Sequence, residues 1–318
     1  MTQFKIHRGS EPFRGQRNQG VALITAMLIF ALVTIVATNL KWDNSLDVRR
    51  AFVMLNRDQA IQVALGAESW IMEILRQDLE DTTTDHLGEI WASDLPGLPI
   101  DGGEVFGAIV DLQGRFNINN LIDDQGKVHE ESLEQFRRLL IALELDPRYA
   151  GVAADWLDVD QDASFPDGAE DPIYTGMMPP YKSPNTTLTS VSELAAIDGM
   201  DKGVFRVLEP HVTALPGRTT INVNTATAAV LESLDEEVSA SDVERLISER
   251  ETEGFNDIQN AFSSIVSPDV LNTLDESTSY FQLKVVVRID TVRITLFSTL
   301  QRGPNGDLSP ILRSFGTN

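Results

Sequence analysis

The first pattern along the chain is an uncharged apolar run, Val21 to Leu40 (VALITAMLIFALVTIVATNL), whose polar interruptions are Thr25, Thr34, Thr38 and Asn39. At about 1.5 Å rise per residue, roughly 20 such residues cross a hydrocarbon core about 30 Å thick. No proline occurs between Pro12 and Pro96. From Lys41 to Leu79 the apolar residues Trp42, Leu46, Val53, Ile61, Ala64, Leu65, Trp70, Ile71, Ile74, Leu75 and Leu79 recur at helical spacing. The pattern predicts one long helix from about Val21 to Leu79, transmembrane first and then amphipathic, with its second half packed on a soluble sheet. Two helices broken near Gly66 are the alternative.

Beyond the helix, Asp94 to Gly103 reads as turns. Val105 to Asp111 and Phe116 to Ile118, around Gln113-Gly114, read as a hairpin. Strand patterns return only at Tyr280 to Ile289, Val292 to Leu300 and Ile311 to Phe315, with a turn at Arg302 to Asp307. Between them the periodicity is helical: Leu133, Phe136, Leu139, Leu140 and Leu143 share one face, and further runs span Val191 to Leu208 and Ala226 to Ile265. The expected fold class is α+β, a long N-terminal helix on a small antiparallel sheet split by a large all-α insertion. The expected divisions are a leader at 1–20, the helix at 21–80 (21–40 transmembrane), a β domain at 81–122 and 278–318, and an inserted domain at 123–277.

Charge narrows the function. The formal balance is −23; Lys5, Arg8, Arg14 and Arg17 against Glu11 give residues 1–20 a net +3, which leaves −26 on residues 21–318. Such a surface repels nucleic acid and anionic lipid. The basic residues ahead of the apolar run place the N-terminus in the cytoplasm by the positive-inside bias. Cysteine is absent and the four histidines, His7, His86, His129 and His211, have no metal-binding or triad-like spacing. With no phosphate loop or nucleophile elbow either, the sequence gives no ground for an enzyme.

One loop carries candidate chemistry. Asp155 to Asp171 (DWLDVDQDASFPDGAED) holds seven carboxylates and no lysine or arginine. Alternating oxygen donors at Asp158, Asp160 and Asp162, with Glu170 and Asp171 beyond the Pro166-Asp167-Gly168 turn, suit Ca²⁺ better than Zn²⁺. The EF-hand template fails, because Ala163 and Ala169 stand where it needs glycine and the bidentate glutamate. A solvated acidic loop without metal is the other reading of the same residues.

The junction Arg17-Asn18-Gln19-Gly20 followed by Val21-Ala22-Leu23-Ile24-Thr25 resembles the site cut by prepilin peptidase in type IV pilin-like proteins. By that resemblance the cut falls between Gly20 and Val21 and the new amine is methylated. Most of that family carry glutamate five residues after the cut, where it neutralises a neighbouring subunit's amine; here the residue is Thr25. Lack of that glutamate, unusual length and a large helical insertion together resemble the K-type minor pseudopilins of type II secretion systems. The resemblance implies a single-pass inner-membrane protein with a periplasmic C-terminal domain. It further implies a place at the filament tip in a complex with I- and J-type minor pseudopilins, and structural Ca²⁺ in the acidic loop. A calcium-dependent periplasmic binding module on a plain membrane anchor is the alternative function.

Thr220 to Ala226, Val243 to Arg250 and Glu253 to Asp257 resemble a helix-hairpin-helix unit of SAM-like type, with Asn224 or Thr225 expected to cap its first helix. Its hairpin, Ser233-Leu234-Asp235-Glu236-Glu237-Val238, lacks the glycines and positive charge that meet phosphate. A packing module is therefore expected, not DNA binding. Ser192 to Met200 resembles half of a second such unit.

Overall fold

The computed structural model describes residues 19–93 and 95–316, so residues 1–18 of the expected leader lie outside the described residues. The chain divides into two compact units at Asn56/Arg57. Helix α1, Gln19–Asp81, is a single uninterrupted helix of 63 residues, with no break at Gly66. In the first unit every described side chain from Val21 to Leu55 is exposed. The apolar part of α1, with a mean hydropathy of 2.6 over 18 residues, is long and apolar enough to cross a membrane. In the second unit α1 buries Ala60, Ala64, Glu68, Ile71 and Leu75. These steps of three and four residues draw one stripe along the helix. The stripe shares Ala64, Ile71 and Leu75 with the sequence pattern, while Trp42, Leu46, Val53 and Trp70 stay exposed.

Strand β1, Leu95–Ile100, turns at Asp101-Gly102 into β2, Gly103–Asp111, and the two pair antiparallel. The residues expected only as turns thus form a strand; Pro96 and Pro99 are tolerated because β1 is an edge. The hairpin expected between β2 and Phe116 to Ile118 does not form. Instead β3, Phe116–Asn117, pairs in parallel with β4, Val212–Thr213. The reason is packing: Phe116, Ile118, Leu121 and Ile122 belong to the insertion's core, and the Phe116 ring stacks on Phe136 with centroids 5.2 Å apart. The insertion therefore opens at about Leu112, not at Asp123.

Within it come helices α2 (Glu130–Ala142), α3 (Tyr149–Leu157), the single turn α4 (Asp171–Tyr174) and α5 (Lys202–Leu208). The second half has β5 (Ile221–Asn222), α6 (Ala228–Glu232), α7 (Ala240–Glu253), α8 (Ile258–Phe262), α9 (Pro268–Leu271) and β6 (Leu274–Asp275). β5 pairs in parallel with β6. The insertion is thus helical apart from two short parallel strand pairs, one closing each half.

The two halves begin alike, Phe116-Asn117-Ile118-Asn119 and Ile221-Asn222-Val223-Asn224. In each, the first asparagine's Oδ1 accepts the amide of the second, from Asn119 at 3.2 Å and from Asn224 at 3.0 Å. The buried amides then serve as cross-ties. Asn119 Nδ2 donates to the carbonyls of Leu188 and Leu215, and Asn224 Nδ2 to those of Phe255 and Glu276. Buried amides with every group satisfied fix one arrangement of loops around an apolar core.

After the insertion, β7 (Tyr280–Ile289), β8 (Val292–Arg302) and β9 (Leu308–Phe315) complete a five-stranded antiparallel sheet in the order β1-β2-β7-β8-β9. β2 and β7 are neighbours, and the Leu112 amide donates to the Tyr280 carbonyl at 2.9 Å, so the insertion leaves and re-enters the sheet at adjacent points. An insertion with adjoining ends leaves the host sheet's register intact. Phe281, Leu283, Val285, Val287, Leu296 and Leu300 bury against the α1 stripe. Two ion pairs clamp this layer. Arg313 of β9 reaches the buried Glu68 with Nη2–Oε2 at 2.7 Å, and Arg302 at the end of β8 holds both oxygens of Asp85 at 2.9 and 3.0 Å.

Candidate functional site

The acidic loop begins where α3 ends. All nine residues of α3 are buried, and its Trp156 packs edge-on against Tyr174 with centroids 4.9 Å apart. That packing takes the neighbouring carboxylates out of water. Asp155 is 0% exposed, Asp158 4% and Glu170 2%. Asp158 ends the helix, its amide donating to the Ala154 carbonyl. Asp155 Oδ2 accepts the Ser164 amide at 3.0 Å, and Glu170 Oε2 accepts the Ser183 hydroxyl at 2.8 Å. Of the other oxygens, Asp155 Oδ1, Asp158 Oδ1 and Glu170 Oε1 are buried without a hydrogen-bond partner. Gly168 allows this close fold: a Cβ there would lie 2.1 Å from Asp155 Oδ2 and 2.3 Å from the Ser164 nitrogen.

Electrostatics follow from that burial. Desolvation, and then the fields of Asp160, Asp155 and Glu170, push the Asp158 carboxyl up to about 7. Burial likewise raises Asp155 and Glu170, against the hydrogen bonds from Ser164 and Ser183. Three desolvated carboxyls acting on one another, with no ion pair to any of them among the described residues, make a donor set that a hard divalent cation would neutralise. Orphaned oxygens in this number fit calcium.

The expected ligands divide. Asp158 and Glu170 lie in the buried group. Asp160 and Asp162 are exposed, with Asp160 Oδ1 accepting the Asp162 amide at 2.9 Å. Asp171 turns elsewhere: Lys182 Nζ stands 2.5 Å from its Oδ2 and the Ser183 amide donates to its Oδ1. The Lys182 hydrogen bond chiefly holds Asp171 below the usual carboxylate range. Asp155 belongs to the buried group without being expected at its centre, and Asn185 is tied to the loop without being expected there. Asp155 is the group's most buried member, and Asn185, whose Nδ2 donates to the Asp160 carbonyl, presents a buried Oδ1 with no partner.

Elsewhere, oxygens of Asp78, Asp85 and Glu89 lie within 4.8 Å of one another; among the described residues the acidic loop has no three acidic side chains so close. That group already holds its own cation, Arg302 on Asp85, while Glu89 Oε2 accepts the Trp91 indole N–H at 2.6 Å. The segment expected to resemble a helix-hairpin-helix holds α6, a turn at 233–239 and α7, and the cap of α6 is Thr227, which accepts the Val230 amide. Asn224 is occupied with Phe255 and Thr225 with Asp111. The upstream half-copy forms a short 3-10 helix, Val191–Ala196, before α5.

At the other candidate position, Gly20 and Val21 lie inside α1. The Thr25 hydroxyl turns back onto its own helix, 3.1 Å from the Val21 carbonyl and 3.0 Å from that of Ala22.

Comparison with known proteins agrees with this architecture. Sequence profiles described as "Type II secretion system (T2SS), protein K" match residues 114–217 and 221–278, the two halves of the insertion. The chain is similar to type II secretion system protein K of Pseudomonas aeruginosa, 37% identical over 95% of this chain and 94% of that one. It is also similar to that of Aeromonas hydrophila, 30% identical over 95% and 98%. Its fold resembles a chain of the crystal structure of the GspK-GspI-GspJ complex from enterotoxigenic Escherichia coli, with a TM-score of 0.75 and 23% identity over 85% of this chain and all of that one. With a membrane-length apolar helix, a split antiparallel sheet and both halves of the insertion matched, the chain belongs to the type II secretion system protein K family, the K-type minor pseudopilins.

Proposed function

We propose that the protein is a subunit at the tip of the type II secretion pseudopilus, taking part in export of proteins across the outer membrane. Residues 21–40 anchor it in the inner membrane with the folded part in the periplasm, after prepilin peptidase cuts between Gly20 and Val21 and the new amine is methylated. One observation carries the tip position. Thr25 spends its hydroxyl on its own helix and offers no charge, so nothing at the fifth mature position can grip the amine of a subunit overhead. An ionised carboxylate there would be unpaired in hydrocarbon and would cost several kcal/mol.

Likeness to a chain of the GspK-GspI-GspJ complex supports I- and J-type minor pseudopilins as partners. The exposed apolar surface of α1 is where like helices would pack side by side. The role is structural, with no catalytic constellation invoked, and the chain's negative charge argues against nucleic acid.

Calcium belongs to the same reading. Asp155, Asp158 and Glu170 would hold it, with Asp160 and Asp162 at the exposed rim, the half-buried Asn185 tied to the Asp160 carbonyl, and Asp171 fixing the turn through Lys182 and Ser183. Bound there, the ion supplies positive charge to desolvated carboxylates and fixes the loop. Thr25→Glu tests the tip assignment. Processing is expected to continue while filament number and length change and less I- and J-type protein co-purifies; unchanged filaments would refute it.

A further inference from the structure

The hairpin at 233–238 lines a groove of about 710 Å³, together with α2 and the segment leading into α9. Its volume falls in the roughly 300–1,000 Å³ range of ligand sites. Glu130, Glu131 and Glu134 enter it from α2, Glu236 and Glu237 from the hairpin and Asp269 from α9, and all six are exposed. The one guanidinium among the described lining residues, Arg138, is spent on the hairpin: its Nε and Nη2 donate to the carbonyls of Ser233 and Leu234 at 2.9 and 3.0 Å. The groove is therefore strongly negative, and Leu234, Val266 and Val270 give it an apolar floor.

A second observation says what kind of cation it takes. Gln135, 9% exposed, lines the same groove, and its amide Nε2 is buried with no hydrogen-bond partner. An unsatisfied buried donor asks for an acceptor, which a metal ion cannot offer. The occupant must carry positive charge, an acceptor oxygen and apolar stems at once. Lysine and arginine side chains on a peptide backbone have all three. We propose that this groove binds an extended lysine- or arginine-bearing segment of a partner protein, Gln135 donating to a backbone carbonyl while the acidic walls take its side chains. This site is separate from α1 and does not depend on the filament reading.

The test uses the full chain in detergent micelles and a fluorescein-labelled, end-blocked octapeptide of alternating lysine and alanine, read by anisotropy at low salt. Saturable binding is expected, and none of the matching glutamate–alanine peptide. Glu236→Lys with Glu237→Lys is expected to weaken it by about tenfold, and Gln135→Leu by about fivefold. Glu251→Lys with Glu253→Lys, exposed on α7 outside the groove, should leave it within about twofold. Absence of binding, indifference to the lysine pair, or equal weakening by the control pair would overturn the proposal. If Gln135→Leu does not fold, the two surface pairs carry the decision.

Discussion

Replacing Asp158 by asparagine separates a calcium site from a merely acidic loop. The substitution keeps the side chain's shape in a position 4% exposed and removes its charge. Burial and three neighbouring carboxylates push Asp158 up to about 7 from an ordinary 3.8. At about 1.4 kcal/mol per pH unit, that rise corresponds to about 4 kcal/mol of stability lost near neutral pH when no cation is present. The folded value lies above the unfolded one, so the stability is full below about pH 4 and is lost as pH rises through about 7.

In chelator at pH 7.5, Asp158→Asn should therefore be more stable than the parent chain. On a chain of this size a gain of about 2–4 kcal/mol raises the melting temperature by roughly 5–10 °C. Calcium at 1 mM, with the roughly 0.1–1 mM dissociation constants of extracellular modules, should stabilise the parent by about 0.4–1.4 kcal/mol and the variant by almost nothing. Thermal melts followed by circular dichroism measure all four states. A parent that melts alike in calcium and chelator, or a variant less stable than the parent in chelator, would rule out a calcium site built on Asp158.

Gly168→Ala should abolish the calcium-dependent rise in melting temperature while the helical signal persists, because its Cβ would collide with Asp155 and Ser164; an undiminished calcium response would contradict this. Arg302→Met leaves Asp85 buried and unpaired and should cost about 3–5 kcal/mol in urea unfolding, most of it recovered by adding Asp85→Asn. Burial and the fields of Glu89 and Asp85 push Asp78 up to about 7, so it lowers stability as pH rises from about 4 through 7. Asp78→Asn should accordingly stabilise the chain at pH 8 and change little at pH 4, as read by urea midpoints; the same gain at both pH values would contradict it.

Much of this architecture was legible because long-period signals survive in a single sequence. The uncharged run at Val21 to Leu40 and the proline-free stretch behind it predict α1 closely, and the three C-terminal strands announce themselves through β-branched residues. The helix's buried stripe was less legible, because Ala60 is too small and Glu68 too polar to register as core; Glu68 is buried by its pairing with Arg313. Two prolines hid β1, whose place at a sheet edge is a tertiary fact. The local pattern puts Phe116 in a hairpin because its actual partners, Phe136 and Val212, are remote in sequence. The repeated asparagine pattern at 117–119 and 222–224 was present to be read and would have located both halves of the insertion. In the acidic loop, alternation singles out Asp160 and Asp162, which are exposed, whereas the buried carboxylates are Asp155, Asp158 and Glu170. Asn185 carries no local signal at all, since what brings it to the loop is its bond to the Asp160 carbonyl.

In the proposed function, α1 enters the membrane as a trimmed rod among like rods. Intact-mass and N-terminal peptide mass spectrometry of the protein, purified from cells that contain prepilin peptidase, tests it most directly. A chain that begins at Val21 with a methylated amine is expected; one that still begins at Met1 would show that α1 is not trimmed.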